Sequence, residues 1–167
     1  MTGSLTSRWL LALASNYEQK DLHYLTSPLY LQCIAISPHP PSCQTVVLMN
    51  NLSASLAQQS EPPKGFSTAP PPSRAQLVTS ARKWAEKALE VAAHIKPPAR
   101  TEDCDQGCAV ATHNIGEFLE MEGDLAGARA RYEEARGLSK AIGFTDGMKQ
   151  AQEGIKRIAR RESGGST

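Results

Sequence analysis

Aromatic residues are scarce: Phe, Trp and Tyr make up 5% of the 167 positions. That suits a helical protein rich in Ala and Leu better than a β-sandwich. Net charge is nearly absent. Eighteen Lys and Arg stand against 17 Asp and Glu, for a formal charge of +1, so no global field points to nucleic acid. The four cysteines are too few for a disulfide scaffold in a chain of this size. No apolar run approaches the ~20 residues of a membrane-spanning helix. The Trp9–Ala14 run is short and has no basic region ahead of it, which argues against a signal peptide. Proline is present but unevenly placed, in clusters at 38–41, 62–63, 70–72 and 97–98. Because proline stops helices and restricts the residue before it, these clusters mark boundaries. The length fits one domain able to bury a core.

The strongest pattern lies at residues 114–138. Gly116 is followed at +3 by Leu119, at +12 by Ala128, at +16 by Tyr132 and at +19 by Ala135. Small residues let two helices approach, and Leu119 and Tyr132 fill the space between them. Gly123-Asp124 breaks the segment, Gly as a helix C-terminus and Asp as the next N-cap. The spacing recurs from Ala14, with Tyr17, Thr26, Tyr30 and Cys33, then Pro38 at +24; Pro28 falls in the expected first turn of a helix, where proline is tolerated. A third copy starts at Ser53 with Leu56. Its second helix, carrying Ala81, Ala85 and Ala88, comes 16 residues late. The excess is a Pro-, Ser- and Gly-rich insertion at 60–74, expected to be a solvated loop. The helix after it, roughly 74–95, carries an apolar stripe of Leu77, Trp84, Ala88, Val91 and Ile95.

This spacing resembles the tetratricopeptide repeat, a helix pair of about 34 residues. The expected fold is all-α: a right-handed superhelix of about three helix pairs plus a C-terminal capping helix. The pairs are placed at about 7–40, 45–95 and 106–141, with 97–107 as a linker. The cap is placed at 146–161, with Met148, Ala151, Ile155 and Ile158 on one face. Together they make a single domain over 1–161, with 162–167 as a disordered tail. Met1 stands only a few residues before the first repeat helix. Either the stack starts there with Trp9, Leu10 and Leu13 partly exposed, or the sequence is the C-terminal part of something longer.

Three segments carry a narrower resemblance: Asp103–Glu117, Val47–Ser53 and Pro28–Leu31. Over roughly residues 8–158 they resemble a fungal mitochondrial tetratricopeptide family that includes the adaptor of the inner-membrane i-AAA protease supercomplex. The resemblance implies a non-enzymatic adaptor that binds unfolded polypeptides and delivers them to an AAA protease in protein quality control. It also implies a site on the intermembrane-space side of the mitochondrial inner membrane. With no presequence or anchor in the sequence, membrane association would come through a partner or a missing N-terminal segment, and the chain as it stands would be cytoplasmic. The alternative is a structural assembly subunit with no substrate-binding role.

In such a stack the first helix of each pair lines a groove. The inward positions are Arg8, Leu11 and Ser15, then Val47, Asn50 and Ala54, then Val110, His113 and Glu117. Asn51 and Asn114 fit the asparagine places of a carboxylate clamp. The basic partners are missing, since Leu11 and Ser15 stand in the first pair and Val110 and Asn114 in the third. An anion needs charged donors, so a mixed groove fits extended segments better. Cys104 and Cys108 form C-x3-C. Zinc lacks two further ligands, with only His113 near. A Cys104–Cys108 disulfide is the second reading; reduced thiols with Cys108 packing inward are the first. Cys33 fills a small-residue place in the core, where Trp84 and Tyr132 also belong. His113 has the pKa range of a general base, but no Ser or Cys nucleophile has an oxyanion partner, so no enzyme activity and no cofactor are expected. The basic face formed by Lys149, Lys156, Arg157, Arg160 and Arg161 is expected to be a solvated helix face. Asn51-Leu52-Ser53 matches a glycosylation sequon inside a helix and implies nothing alone.

Overall fold

A computed structural model describes residues 2–37, 39–59 and 70–164, with side chains from Thr6 to Ser163. Among the described residues are seven α-helices and no strand: α1 (Thr2–Glu18), α2 (His23–Ala35), α3 (Cys43–Gln58), α4 (Arg74–His94), α5 (Glu102–Glu122), α6 (Leu125–Ala141) and α7 (Thr145–Gly164). Each helix packs on the next, and α3 also packs on α5 and α5 on α7. This is an all-α repeat superhelix, three pairs followed by a seventh helix.

Local chemistry sets the ends. Ser73 and Gln76 form a reciprocal capping box: the Gln76 N–H donates to Ser73 Oγ at 3.2 Å, and the Ser73 N–H donates to Gln76 Oε1 at 2.8 Å. Gly123 closes α5 in the left-handed region at φ 89°, a conformation with no steric penalty only for glycine. Asp124 then caps α6 by accepting from the Gly127 N–H at 2.9 Å.

Several boundaries differ from the sequence-based expectation. α1 begins at Thr2 rather than about 7, and α5 begins at Glu102 rather than 106, shortening the linker. Glu102, Asp103 and Asp105 in the first turn of α5 favour a helix there, because acidic groups are stabilised at the positive end of the macrodipole. Arg74 belongs to α4 and not to the insertion, whose residues 60–69 lie outside the described ones, as does Pro38. The expected tail is helical through Gly164; Arg129 holds Glu162 in an ion pair of 2.6 Å. Residues 165–167 lie outside the described ones. Pro28 is the sixth residue of α2, past its first turn. The carbonyls of Leu22 and His23 just before it accept from the Thr26 and Ser27 hydroxyls.

The small-residue positions carry the close approaches. Ser53 donates its hydroxyl to the Ala81 carbonyl at 2.8 Å, joining α3 to α4. Gly116 faces the fully buried Tyr132. A Cβ on Gly116 would stand 2.9 Å from the Tyr132 ring, and a Cβ on Gly154 of α7 would stand 2.8 Å from it. Tyr132 is thus clasped between α5 and α7. Gly116→Ala is expected to lower stability by about 1–2 kcal/mol, because overpacking outweighs the ~1 kcal/mol helix-propensity gain. Gly137→Ala on the exposed side of α6, where a Cβ meets nothing within 4 Å, should raise stability by ~0.5–1 kcal/mol. Urea denaturation of the two variants checks both signs.

Candidate functional site

A concavity of about 600 Å³ opens across α3, α5 and α7. α3 lines it with Asn50, Asn51 and Ala54, and α5 with Val110, His113, Asn114 and Glu117. Phe144, Lys149, Gln150, Glu153 and Arg157 line the far side. Five of the nine expected groove residues therefore meet: Asn50, Ala54, Val110, His113 and Glu117. The other four do not. Arg8 and Ser15 are exposed on α1, Leu11 packs against the α1–α3 core cluster, and Val47 is exposed on α3 outside this lining. The reason is geometric. α3 and α5 touch along their length, whereas α1 rests chiefly on α2, so the concavity is built by the later repeats.

Not every lining residue is free to act. Asn50 is 5% exposed, and its side-chain amide donates to the Gly107 carbonyl at 2.8 Å. It joins α3 to α5 at a point where a Cβ on Gly107 would stand 3.1 Å from Val46. Asn51 and Asn114 are both half-buried; the Asn51 side chain also engages the Tyr30 hydroxyl. His113 is half-buried, with Nε2 3.6 Å from a Glu117 carboxylate oxygen and its ring 5.2 Å from the Tyr132 ring. Asn50→Ala is expected to cost about 1–3 kcal/mol, since it removes a buried hydrogen bond and leaves a void in the α3–α5 seam. Asn114→Ala should stay within ~0.5 kcal/mol of the parent. Chemical denaturation separates the two.

The cations missing from the first and third pairs enter the concavity on α7, as Lys149 and Arg157. Arg157 is already engaged. It donates to both carboxylate oxygens of Glu120, at 2.9–3.2 Å, and to the Tyr132 hydroxyl at 2.9 Å. The Tyr132 hydroxyl in turn donates to Glu120 at 2.8 Å, and Arg161 lies 3.3 Å from the same carboxylate. Lys149 sits 3.6 Å from Asp146, and Glu117 and Glu153 balance the charge of the lining. The concavity therefore offers amides, an imidazole and balanced charge rather than a concentrated cationic clamp. Arg157 and Arg161 are correspondingly not a purely solvated face, because Glu120, 7% exposed, draws them in.

Spacing could have flagged this network. Glu120 lies one turn after Gly116 on the buried stripe of α5, and a buried carboxylate requires a partner. Burial works against the charged form of Glu120, but the Arg157 guanidinium, the Tyr132 hydroxyl and Arg161 outweigh it and hold the carboxyl below its ordinary value. A depressed carboxyl pKa contributes stability above the unfolded-state pKa, and that stability is lost as pH falls through the folded-state value. Glu120→Gln is expected to cost about 2 kcal/mol at neutral pH. The gap should narrow as pH falls through the ordinary carboxylate range and close only below the lowered folded-state value, where the parent also carries a neutral side chain. Thermal melts of both proteins across that range test the convergence.

Cys108 packs inward against the core cluster as expected, though only half-buried, with Arg100 Nη2 at 3.7 Å from its sulfur; Cys104 is the fully buried one of the two. Cys33 is buried, and Trp84 is half-buried against two core clusters. Among the described residues no group of three or more His, Cys, Asp or Glu is arranged to hold a metal ion, and no helix is long and apolar enough to cross a membrane.

Comparison with known proteins agrees with the helical-repeat architecture. A TPR repeat-containing protein of Schizosaccharomyces pombe is 28% identical over 152 residues, covering 91% of this chain and 41% of the relative. The chain thus spans about two fifths of the length of the curated relative it matches. No family model matches the chain, and no solved structure matches it. The likeness supports a tetratricopeptide-repeat relationship and, with it, a protein-interaction scaffold in general terms.

Proposed function

We propose that the chain is a non-enzymatic polypeptide-binding scaffold whose concavity across α3, α5 and α7 receives extended segments of other proteins. The observation that carries this reading is the lining itself: half-buried Asn51, His113 and Asn114 beside apolar Ala54, Val110 and Phe144, with balanced charge. Side-chain amides can donate to and accept from any main chain, and a concavity without a dominant charge does not select for acidic or basic segments. The finer reading makes the protein an adaptor on the intermembrane-space side of the mitochondrial inner membrane that hands unfolded polypeptides to an AAA protease. Its support is the resemblance of segments 28–31, 47–53 and 103–117 to that adaptor family.

One observation favours the alternative, an assembly subunit. Trp9 is 76% exposed and Leu13 42% exposed on one side of α1, an apolar patch of the kind that seats partner chains. At the other end of the stack Ile158 offers no such surface, because it is fully buried and belongs to the core with Tyr132.

Fluorescence-anisotropy titration of a reduced, alkylated model polypeptide decides between the readings. The double variant His113→Ala/Asn114→Ala should bind roughly tenfold more weakly, equivalent to about 1.4 kcal/mol, and Trp9→Ala should leave binding unchanged. No binding by the parent, or binding left unchanged by the groove variant, would overturn this reading in favour of the assembly subunit. The finer claim further requires that an AAA protease co-purify with the tagged protein from mitochondria, and that purification without it be reproducible only for the groove variants.

A further inference from the structure

We propose that Cys43 and Cys104 form a reversible disulfide-forming pair that staples the first turns of α3 and α5, and so fixes the two groove helices against each other. Cys43 opens α3 and is 8% exposed; Cys104 lies in the first turn of α5 and is fully buried. They share one hydrophobic cluster with Val46, Met49, Ala92 and Ile95, and each thiol lies within interaction range of the other. The Cys43 thiol also donates to the Ala99 carbonyl at 3.5 Å. Arg100 stands in the same turn, anchored by Asp105 at 2.6 Å and the Ala92 carbonyl at 2.7 Å. The Cys104–Cys108 alternative is geometrically poorer. Both residues point from successive turns of one helix, and the Cys108 sulfur is turned to Arg100.

The two thiols differ in a way that assigns their roles. Burial opposes the Cys43 thiolate, but the Cys104 thiol, the Thr101 backbone and hydroxyl and Arg100 outweigh it and bring Cys43 below its ordinary value. Burial and the contact with Cys43 push Cys104 up to about 12. Cys43 opens α3 and is the less buried of the two, 8% exposed against 0% for Cys104, so it is the attacking sulfur, as expected for a thiol at a helix N-terminus beside a cation. With oxidised glutathione as the co-reactant, the Cys43 thiolate attacks one glutathione sulfur and the glutathione S–S bond breaks. One glutathione thiolate leaves and takes up the proton lost by Cys43. The Cys104 sulfur then attacks the Cys43 sulfur of the mixed disulfide, and its proton goes to the second departing glutathione. The protein dithiol is oxidised by two electrons, and one glutathione disulfide is reduced to two thiols.

The staple would sit next to the Asn50–Gly107 hydrogen bond, one to two turns up the same α3–α5 seam. It needs no assumption about what the concavity binds.

The folded protein is equilibrated with glutathione buffers of increasing oxidised fraction, alkylated at low pH and mapped by mass spectrometry without reduction. The expected product is one cross-linked peptide joining residues 43 and 104, with Cys33 and Cys108 alkylated and the thermal midpoint raised. Cys108→Ser should retain the cross-link and the rise in midpoint, whereas Cys43→Ser and Cys104→Ser should lose both. Four alkylated cysteines at every ratio would overturn the proposal. So would a Cys104–Cys108 cross-link, or accumulation of glutathionylated Cys43 with no cross-link.

Discussion

The end of this superhelix depends on a single ring held from both sides. Tyr132 of α6 fills the space that Gly116 of α5 and Gly154 of α7 leave open, and neither position can carry a Cβ without striking the ring. Three helices therefore meet at one side chain. Its hydroxyl would be costly to bury alone, and Glu120 accepts from it. The carboxylate would be costlier still, and Arg157 and Arg161 neutralise it. Each partner in this chain is required by the one before: an aromatic wedge demands glycines, its hydroxyl demands an acceptor, and the acceptor demands cations. A buried set of this kind adds little net stability over apolar packing of similar volume, because desolvation offsets much of the Coulombic gain. What it does supply here is register, since α7 can satisfy Glu120 only in one rotation about its axis.

The register has a consequence for the concavity. Arg157 is the link between the buried network and the open lining, because it touches Glu120 on one side and borders the concavity on the other. A guanidinium already committed to a carboxylate has few donors left for a ligand. The concavity consequently presents less positive character than its residue names suggest. A groove read by counting Lys and Arg would be assigned to acidic tails; the hydrogen bonds turn that reading toward neutral main chain.

The helix pairs were legible from sequence because tight backbone approach demands small residues at fixed separations. Gly116 with Ala128, and Ser53 with Ala81, meet as their spacing implies. Glycine and aspartate at 123 and 124 were legible for the same reason: each satisfies a specific backbone requirement. The groove was only half legible. Projection of each first helix by its own periodicity treats all three pairs as equivalent, and it cannot show that α1 rests chiefly on α2 while α5 contacts both α3 and α7. Arg8, Leu11, Ser15 and Val47 accordingly lie outside the concavity across α3, α5 and α7. Asn50 lies in it, but its donor is spent on the Gly107 carbonyl. The Glu120 network was missed because the basic face of α7 alone does not show whether it reaches an acid; the available signal was Glu120 at a buried-stripe position of α5.

The two seams that frame the concavity are held by different chemistry. Between α5 and α7 the contact is ionic and aromatic, through Glu120, Arg157 and Tyr132. Between α3 and α5 it is an amide hydrogen bond at Gly107 and a cluster of small apolar and thiol side chains. Charge-assisted bonds are directional and strong, so the α5–α7 seam resists rotation. The α3–α5 seam has one directional bond and is otherwise close-packed, with Gly107 against Val46 and Ala57 in one cluster with Ile115 and Phe118. A ligand that engages Asn51 and Asn114 together meets side chains on two helices whose spacing that packing sets, which lowers the ordering cost of binding.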